Sequence, residues 1–135
     1  MREVGNDLRK FHGPAYIVET LFGEAEATGE NALIESIRTI AEAAFLKNNC
    51  VVLLAVDADK KLRYERIVSR GTATDNLSFE EFVLQEDREM NAPDVWDMNV
   101  FGVMALADYT VRNDGTLEEL HAQVDKVLGA IHKAA

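Results

Sequence analysis

An unbroken apolar run, Val51 to Val56, ends in Asp57-Ala58-Asp59 and passes at once into a basic amphipathic stretch that closes at Gly71. Six consecutive apolar residues, rich in valine and bounded by polar ones, suit a strand buried on both faces of a parallel sheet. Asp59 can cap a helix that carries Tyr64, Ile67 and Val68 on one face and Arg63, Arg66 and Arg70 around its other sides. A strand feeding directly into a helix is half of a βαβ unit, and ligands of α/β sheets gather at the carboxyl ends of such strands. Three arginines therefore start at a ligand-binding position, in a chain that is otherwise strongly acidic.

That acidity limits the partners. At 135 residues and a net charge of −10, the chain reads as one domain large enough for a core. It would be repelled overall by nucleic acids and anionic membranes. A small local anion site, built from a few arginines, amide groups and helix N-termini, remains compatible with it. The lone Cys50 excludes an internal disulfide, points to a cytoplasmic protein and reads as a small core residue at the start of a buried strand. No apolar segment approaches the length of a membrane span.

Along the chain, residues 2–12 read as a short helix with Val4, Leu8 and Phe11 on one face, stopped by Gly13-Pro14. A second helix carries Ile17, Val18, Leu21, Phe22 and Ala25 and ends near Thr28-Gly29. Asn31 to Ile37 reads as a short strand with Ala32, Leu33 and Ile34 buried. Thr39/Glu42, Ser78/Glu81 and Thr116/Glu119 each have the spacing of a capping box and open helices. Ala107 to Val111 reads as the last strand, followed by the turn Asn113-Asp114-Gly115 and a final helix with Leu117, Leu120, Val124, Val127, Leu128 and Ile131 in register. The alternation of strands and helices predicts an α/β layered domain with a parallel sheet.

Four groups of residues could carry chemistry. Glu35 and Arg38 flank a strand-to-helix junction, where an acid and a base could hold a metal-bound phosphate and a substrate anion, or simply pair with each other. Arg63, Arg66 and Arg70 form a partial stripe suited to phosphate, or to a solvated face paired with Glu65 and nearby acids. Asn113, Asp114 and Gly115 form a turn that could also rim a base pocket. Arg9 and His12 lie beside Gly13; pattern alone predicts solvent exposure for Arg9 and a structural role for His12. The histidines and the cysteine show no metal-ligand spacing, and no metal site is expected.

Taken together, IESIRTIAEAAFLK, VVLLAVDADKKLRYERIVSRG, FEEFVLQEDREM and ADYTVRNDGTLEELHAQVDKVL resemble the C-terminal two-thirds of P-loop nucleotide kinases. The likeness is to the dephospho-coenzyme A kinase and adenylate kinase-like group, and within it to small archaeal and bacterial proteins often labelled AAA-type; the segment NDLRKFHGP is similar to their substrate-side helices. The resemblance implies a three-layer P-loop fold, a parallel sheet with helices on both faces, and transfer of the γ-phosphoryl of Mg-ATP to a nucleotide or dephospho-CoA-like acceptor. By that likeness Glu35 and Arg38 lie near the metal and phosphates, and Arg63, Arg66 and Arg70 enter or border a lid over the ATP phosphates. Arg9, with His12 and Gly13 beside it, faces the acceptor, and Asn113, Asp114 and Gly115 line the base.

One departure weighs against ordinary kinase activity from this polypeptide alone. The sequence holds no G-x-x-x-x-G-K-[ST], so the amides and lysine that hold the β- and γ-phosphates are missing. Relative to the family the chain reads as truncated before Met1 and short of its first strands. That leaves strand edges expected to pair with each other or with a second copy. Three readings stay open: a shortened kinase-like domain, a non-catalytic binding or oligomerisation module, and a phosphotransferase whose phosphate loop comes from another chain.

Overall fold

A computed structural model describes residues 2–71, 77–90 and 92–134. In chain order the elements are α1 (Arg2–His12), α2 (Tyr16–Thr28), α3 (Ile40–Asn48), β1 (Leu54–Asp57), α4 (Lys60–Arg70), α5 (Phe79–Met90), α6 (Val100–Ala105), β2 (Tyr109–Arg112) and α7 (Leu117–Ala134). The chain divides into two compact units, one of residues up to Leu53 with Gln85–Leu106, the other of Leu54–Leu84 with the chain from Ala107 onward.

The first unit is helical. Its core gathers Val18 of α2, Ala43 and Leu46 of α3, Leu53 and Val103 of α6, with Phe22, Ile34, Ile37, Phe45, Val51 and Leu106 packed around them. Phe22 and Phe45 meet edge to face at 5.6 Å between ring centroids, a favoured aromatic geometry. α2 ends where expected: Gly29 takes φ 66° and its N–H returns to the Glu26 carbonyl, a left-handed cap that glycine adopts without steric cost. α3 starts on a complete capping box, the Thr39 hydroxyl accepting from the Glu42 amide at 3.2 Å while the Glu42 carboxylate accepts from the Thr39 amide at 3.0 Å.

Three expectations fail in this unit. Residues 31–37 form no strand; the stretch is irregular, and Ser36 sits at φ 65°. Short apolar runs become strands only where a neighbour takes their backbone hydrogen bonds, and none among the described residues does so here. Cys50 is exposed rather than buried, because it lies in the left-handed turn after α3 (φ 59°) with its amide on the Lys47 carbonyl, upstream of the strand. Arg9 is buried at 6% exposure, not solvated. α1 presents Arg9 inward and carries its apolar stripe outward, with Val4 and Leu8 exposed and Phe11 84% exposed.

The second unit holds a two-stranded parallel sheet, with Leu54 opposite Tyr109, Ala55 opposite Thr110, Val56 opposite Val111 and Asp57 opposite Arg112. The parallel pairing agrees with the expectation; burial on both faces does not, since β1 alternates and Leu54 and Val56 are exposed. α7 packs on β2 and Val111 is buried. Asp59 caps α4 by accepting from the amides of Lys61 and Leu62, and Gly71 closes it at φ 63°. Tyr64 meets Phe79 and Phe82 at 5.2 and 5.6 Å between centroids, and its hydroxyl donates to the Leu77 carbonyl, tying α4 to the start of α5. The second and third capping boxes are present in full at Ser78/Glu81 and Thr116/Glu119.

Candidate functional site

The strands of the second unit end in charge. In-register pairing sets Asp57, last residue of β1, beside Arg112, last residue of β2. Side chains of paired residues stand on the same face of a sheet, so the two meet at 2.5 Å. Arg63, one turn into α4, reaches back to the other Asp57 oxygen at 3.1 Å and also donates to the Ala58 carbonyl. Beyond β2 the chain turns through Asn113 and Asp114. The Asn113 amide donates to the Asp57 carbonyl at 2.7 Å, continuing the strand ladder by one bond. Asp114 accepts from Arg112 at 2.8 Å and from the Asp59 amide at 2.6 Å. Arg66, one turn beyond Arg63, donates to the Asn113 carbonyl at 2.7 Å.

The result is a closed cluster of three arginines and three aspartates at the carboxyl ends of two parallel strands. Both oxygens of Asp57 are taken by guanidinium groups. Hydrogen bonding to Arg112, and then to the Asp59 amide, holds the Asp114 carboxyl below its ordinary value of 3.8, and the same contact raises Arg112 above its own. Glu81 is likewise held below 4.5, first by the Ser78 amide and then by the Ser78 hydroxyl. Glu118 is lowered by its own amide and by the Thr116 hydroxyl.

These shifts fix the acid response. A carboxyl with a depressed folded-state value binds its proton more readily when unfolded, so stability rises with pH between the folded and unfolded values. Through these carboxyls, denaturant midpoints measured against pH should fall as pH drops through the carboxylate range. Replacing Asp114 by asparagine should shrink that fall.

Of the residues singled out in the sequence, the second unit brings Arg63, Arg66, Asn113 and Asp114 into one cluster. Gly115 follows Asp114 in the turn, and Arg70 lies exposed at the end of α4. Glu35, Arg38, Arg9, His12 and Gly13 belong to the first unit. There Glu35 is exposed, and Arg38 approaches Glu89 at 3.8 Å rather than Glu35. His12 is exposed and stacks on Tyr16 at 4.4 Å; Gly13 turns the chain at φ 119°. Arg9 is engaged by Glu42 through two guanidinium nitrogens, each 2.8 Å from one carboxylate oxygen, and is not presented to an acceptor.

Sequence reasoning missed Asp57 and Arg112 as site residues. Each is the last residue of its strand, and an acid and a base at two parallel strand ends were the available signal; only the register shows that they meet. Among the described residues no group of three or more histidine, cysteine, aspartate or glutamate side chains could hold a metal ion. The strand-end guanidinium groups fit phosphate oxygens, which they bind in the same geometry as carboxylates.

No protein-family model matches the chain, and no solved structure matches it. Curated relatives do. The UPF0200 protein of Pyrobaculum aerophilum is 35% identical over 103 residues, 74% of this chain and 56% of the relative. That of Staphylothermus marinus is 29% identical over 129 residues, 95% of this chain and 65% of the relative. The chain thus spans less than two thirds of either of these relatives. A Methanococcus maripaludis UPF0200 protein is 30% identical over 139 residues, covering 95% of this chain and 73% of its own length. On this likeness, which runs through nearly the whole sequence, the chain belongs to the UPF0200 family.

Proposed function

We propose that the chain is part of a nucleotide kinase-like P-loop protein of the cytoplasm, and that the strand-end cluster of its second unit contacts the phosphates of a nucleotide. The observation that carries the reading is the convergence of Arg63, Arg66 and Arg112 on the carboxyl ends of β1 and β2, where ligands of parallel sheets bind. Phosphate oxygens would take the place of Asp57 and Asp114 on Arg112, and the Asn113–Gly115 turn would border the base. The family activity in this reading is ATP-dependent phosphoryl transfer to a nucleotide or dephospho-CoA-like acceptor.

A second reading, a nucleotide-binding or oligomerisation module without catalysis, draws support from the same cluster. Arg63 and Arg112 are paired with carboxylates and Arg66 with a carbonyl, so an incoming anion must displace internal partners before it gains contacts. Binding by this chain alone should accordingly be weak, with Kd about 1 mM.

Amide resonances followed during titration with Mg-ATP test both. Saturable shifts at Asp57–Asp59 and Asn113–Gly115, lost in Arg112→Met and Arg66→Met, are expected. No saturable shift at about 10 mM nucleotide sinks the binding site. Turnover of Mg-ATP with nucleoside monophosphates or dephospho-CoA, assayed on the full-length Methanococcus maripaludis relative, separates the readings, since nucleotide binding without turnover by that longer protein leaves only the non-catalytic one.

A further inference from the structure

One side chain of α7 grips the backbone of the strand-end cluster. The Gln123 oxygen accepts from the Arg112 amide at 2.9 Å, and its side-chain nitrogen donates to the Arg112 carbonyl at 2.8 Å. Backbone groups of successive strand residues point to alternate sides. The Asn113 amide reaches the Asp57 carbonyl of β1, so the Arg112 amide and carbonyl face the other way, off the outer edge of β2. A carboxamide offers a donor and an acceptor side by side, and Gln123 serves both groups as a neighbouring strand would. Delivery of that side chain is set close by. The Thr116/Glu119 capping box fixes where α7 begins, and Gln123 follows Glu119 by four residues, on the same face of the helix.

We propose that Gln123 is a positioning residue for the cluster: by holding both backbone groups of Arg112 it sets the guanidinium where it meets Asp57 and Asp114, and where a phosphate would meet it. The side chain of Arg112 is 51% exposed, so packing does not fix it, and its placement depends on the backbone from which it projects. Two bonds to one residue fix position and orientation, where a single bond leaves a pivot. Arg112 in turn orders the cluster, reaching Asp57 at 2.5 Å and Asp114 at 2.8 Å through two of its nitrogens. The phosphate half of this role rests on the nucleotide reading above; the hold on Arg112 does not.

Gln123→Met tests it, since methionine keeps the length and helix preference of glutamine and removes both bonds. In the variant the Arg112 amide should exchange about tenfold or more faster, while the Val111 and Asn113 amides, which face β1, keep their rates. The Asp114 carboxyl, held low first by Arg112, should titrate closer to its ordinary 3.8 when followed by carbon NMR. The Kd for Mg-ATP, read from the Asn113–Gly115 resonances, should rise about threefold or more. The unaltered chain supplies a measurement that needs no variant: side-chain amide protons of Gln123 should exchange about tenfold or more slowly than those of Gln85, exposed on α5. Equal exchange of the two glutamines, or an Arg112 amide or Asp114 titration that ignores Gln123→Met, would overturn the proposal. So would faster exchange shared by Val111 and Asn113, which would make Gln123 a general support of the unit. A Kd that holds while Arg112 loosens overturns the phosphate half. Absence of any Mg-ATP shift in the unaltered chain strikes the nucleotide reading instead, and exchange and titration still decide the hold on Arg112.

Discussion

Replacing Arg9 by methionine should lower the unfolding free energy by about 3–5 kcal/mol, the cost of leaving one member of a buried ion pair uncompensated. Arg9 and Glu42 are 6% and 1% exposed, and the pair links α1 to α3 across 33 residues of sequence. The methionine fills much of the arginine's volume, so the loss comes from the stranded Glu42 carboxylate and not from a cavity. Glu42→Gln should cost less than Glu42→Ala, because an amide oxygen can still accept from the Arg38 and Thr39 amides that the carboxylate now serves at 3.1 and 3.0 Å. Combining Arg9→Met with Glu42→Gln should recover part of the single-variant loss, since no unpaired charge remains. Urea unfolding of the four variants measures all of this; an Arg9→Met effect below about 1 kcal/mol would mean that the pair opens in solution.

Leu46→Ala should destabilise the first unit by about 2–5 kcal/mol, the range for truncating a buried leucine. Leu46 is 1% exposed in the cluster with Val18, Ala43, Leu53 and Val103. Its carbonyl also receives the amides of Asn49 and Val51 at 3.0 and 3.1 Å, so collapse of the backbone into the vacated space is restrained and the upper half of that range is expected. Leu8→Ala, outward on α1 and 38% exposed, is the control and should change stability by about 0.5 kcal/mol or less. Urea midpoints tell the two apart.

Local interactions were legible in the sequence and distant ones were not. Thr39/Glu42, Ser78/Glu81 and Thr116/Glu119 form their capping boxes because each needs only residues three apart on one helical turn. The turns at Gly29 and Gly71 were readable for the same reason, as a left-handed residue after a helix favours glycine. The expected strand at residues 31–37 failed because strand formation depends on a neighbour that the local pattern cannot name. Arg9 was misread because its burial is decided by Glu42, and the stripe of Val4, Leu8 and Phe11 gave the helix but not the direction in which it faces. At the candidate site, Arg63, Arg66 and the Asn113-Asp114 turn were identifiable from their position after apolar runs. The meeting of Asp57 with Arg112 rests on cross-strand register, which no short motif encodes.

Glu42 does two jobs with one carboxylate: one oxygen holds Arg9, and the other accepts the amides at the threshold of α3. Fraying of the N-terminal helix and unwinding of the first turn of α3 are therefore not separate events. When α1 lifts away, the acid it abandons is drawn toward water and must loosen its grip on the two amides. The amino-terminal portion of the chain should breathe as a single piece, hinged on that one side chain.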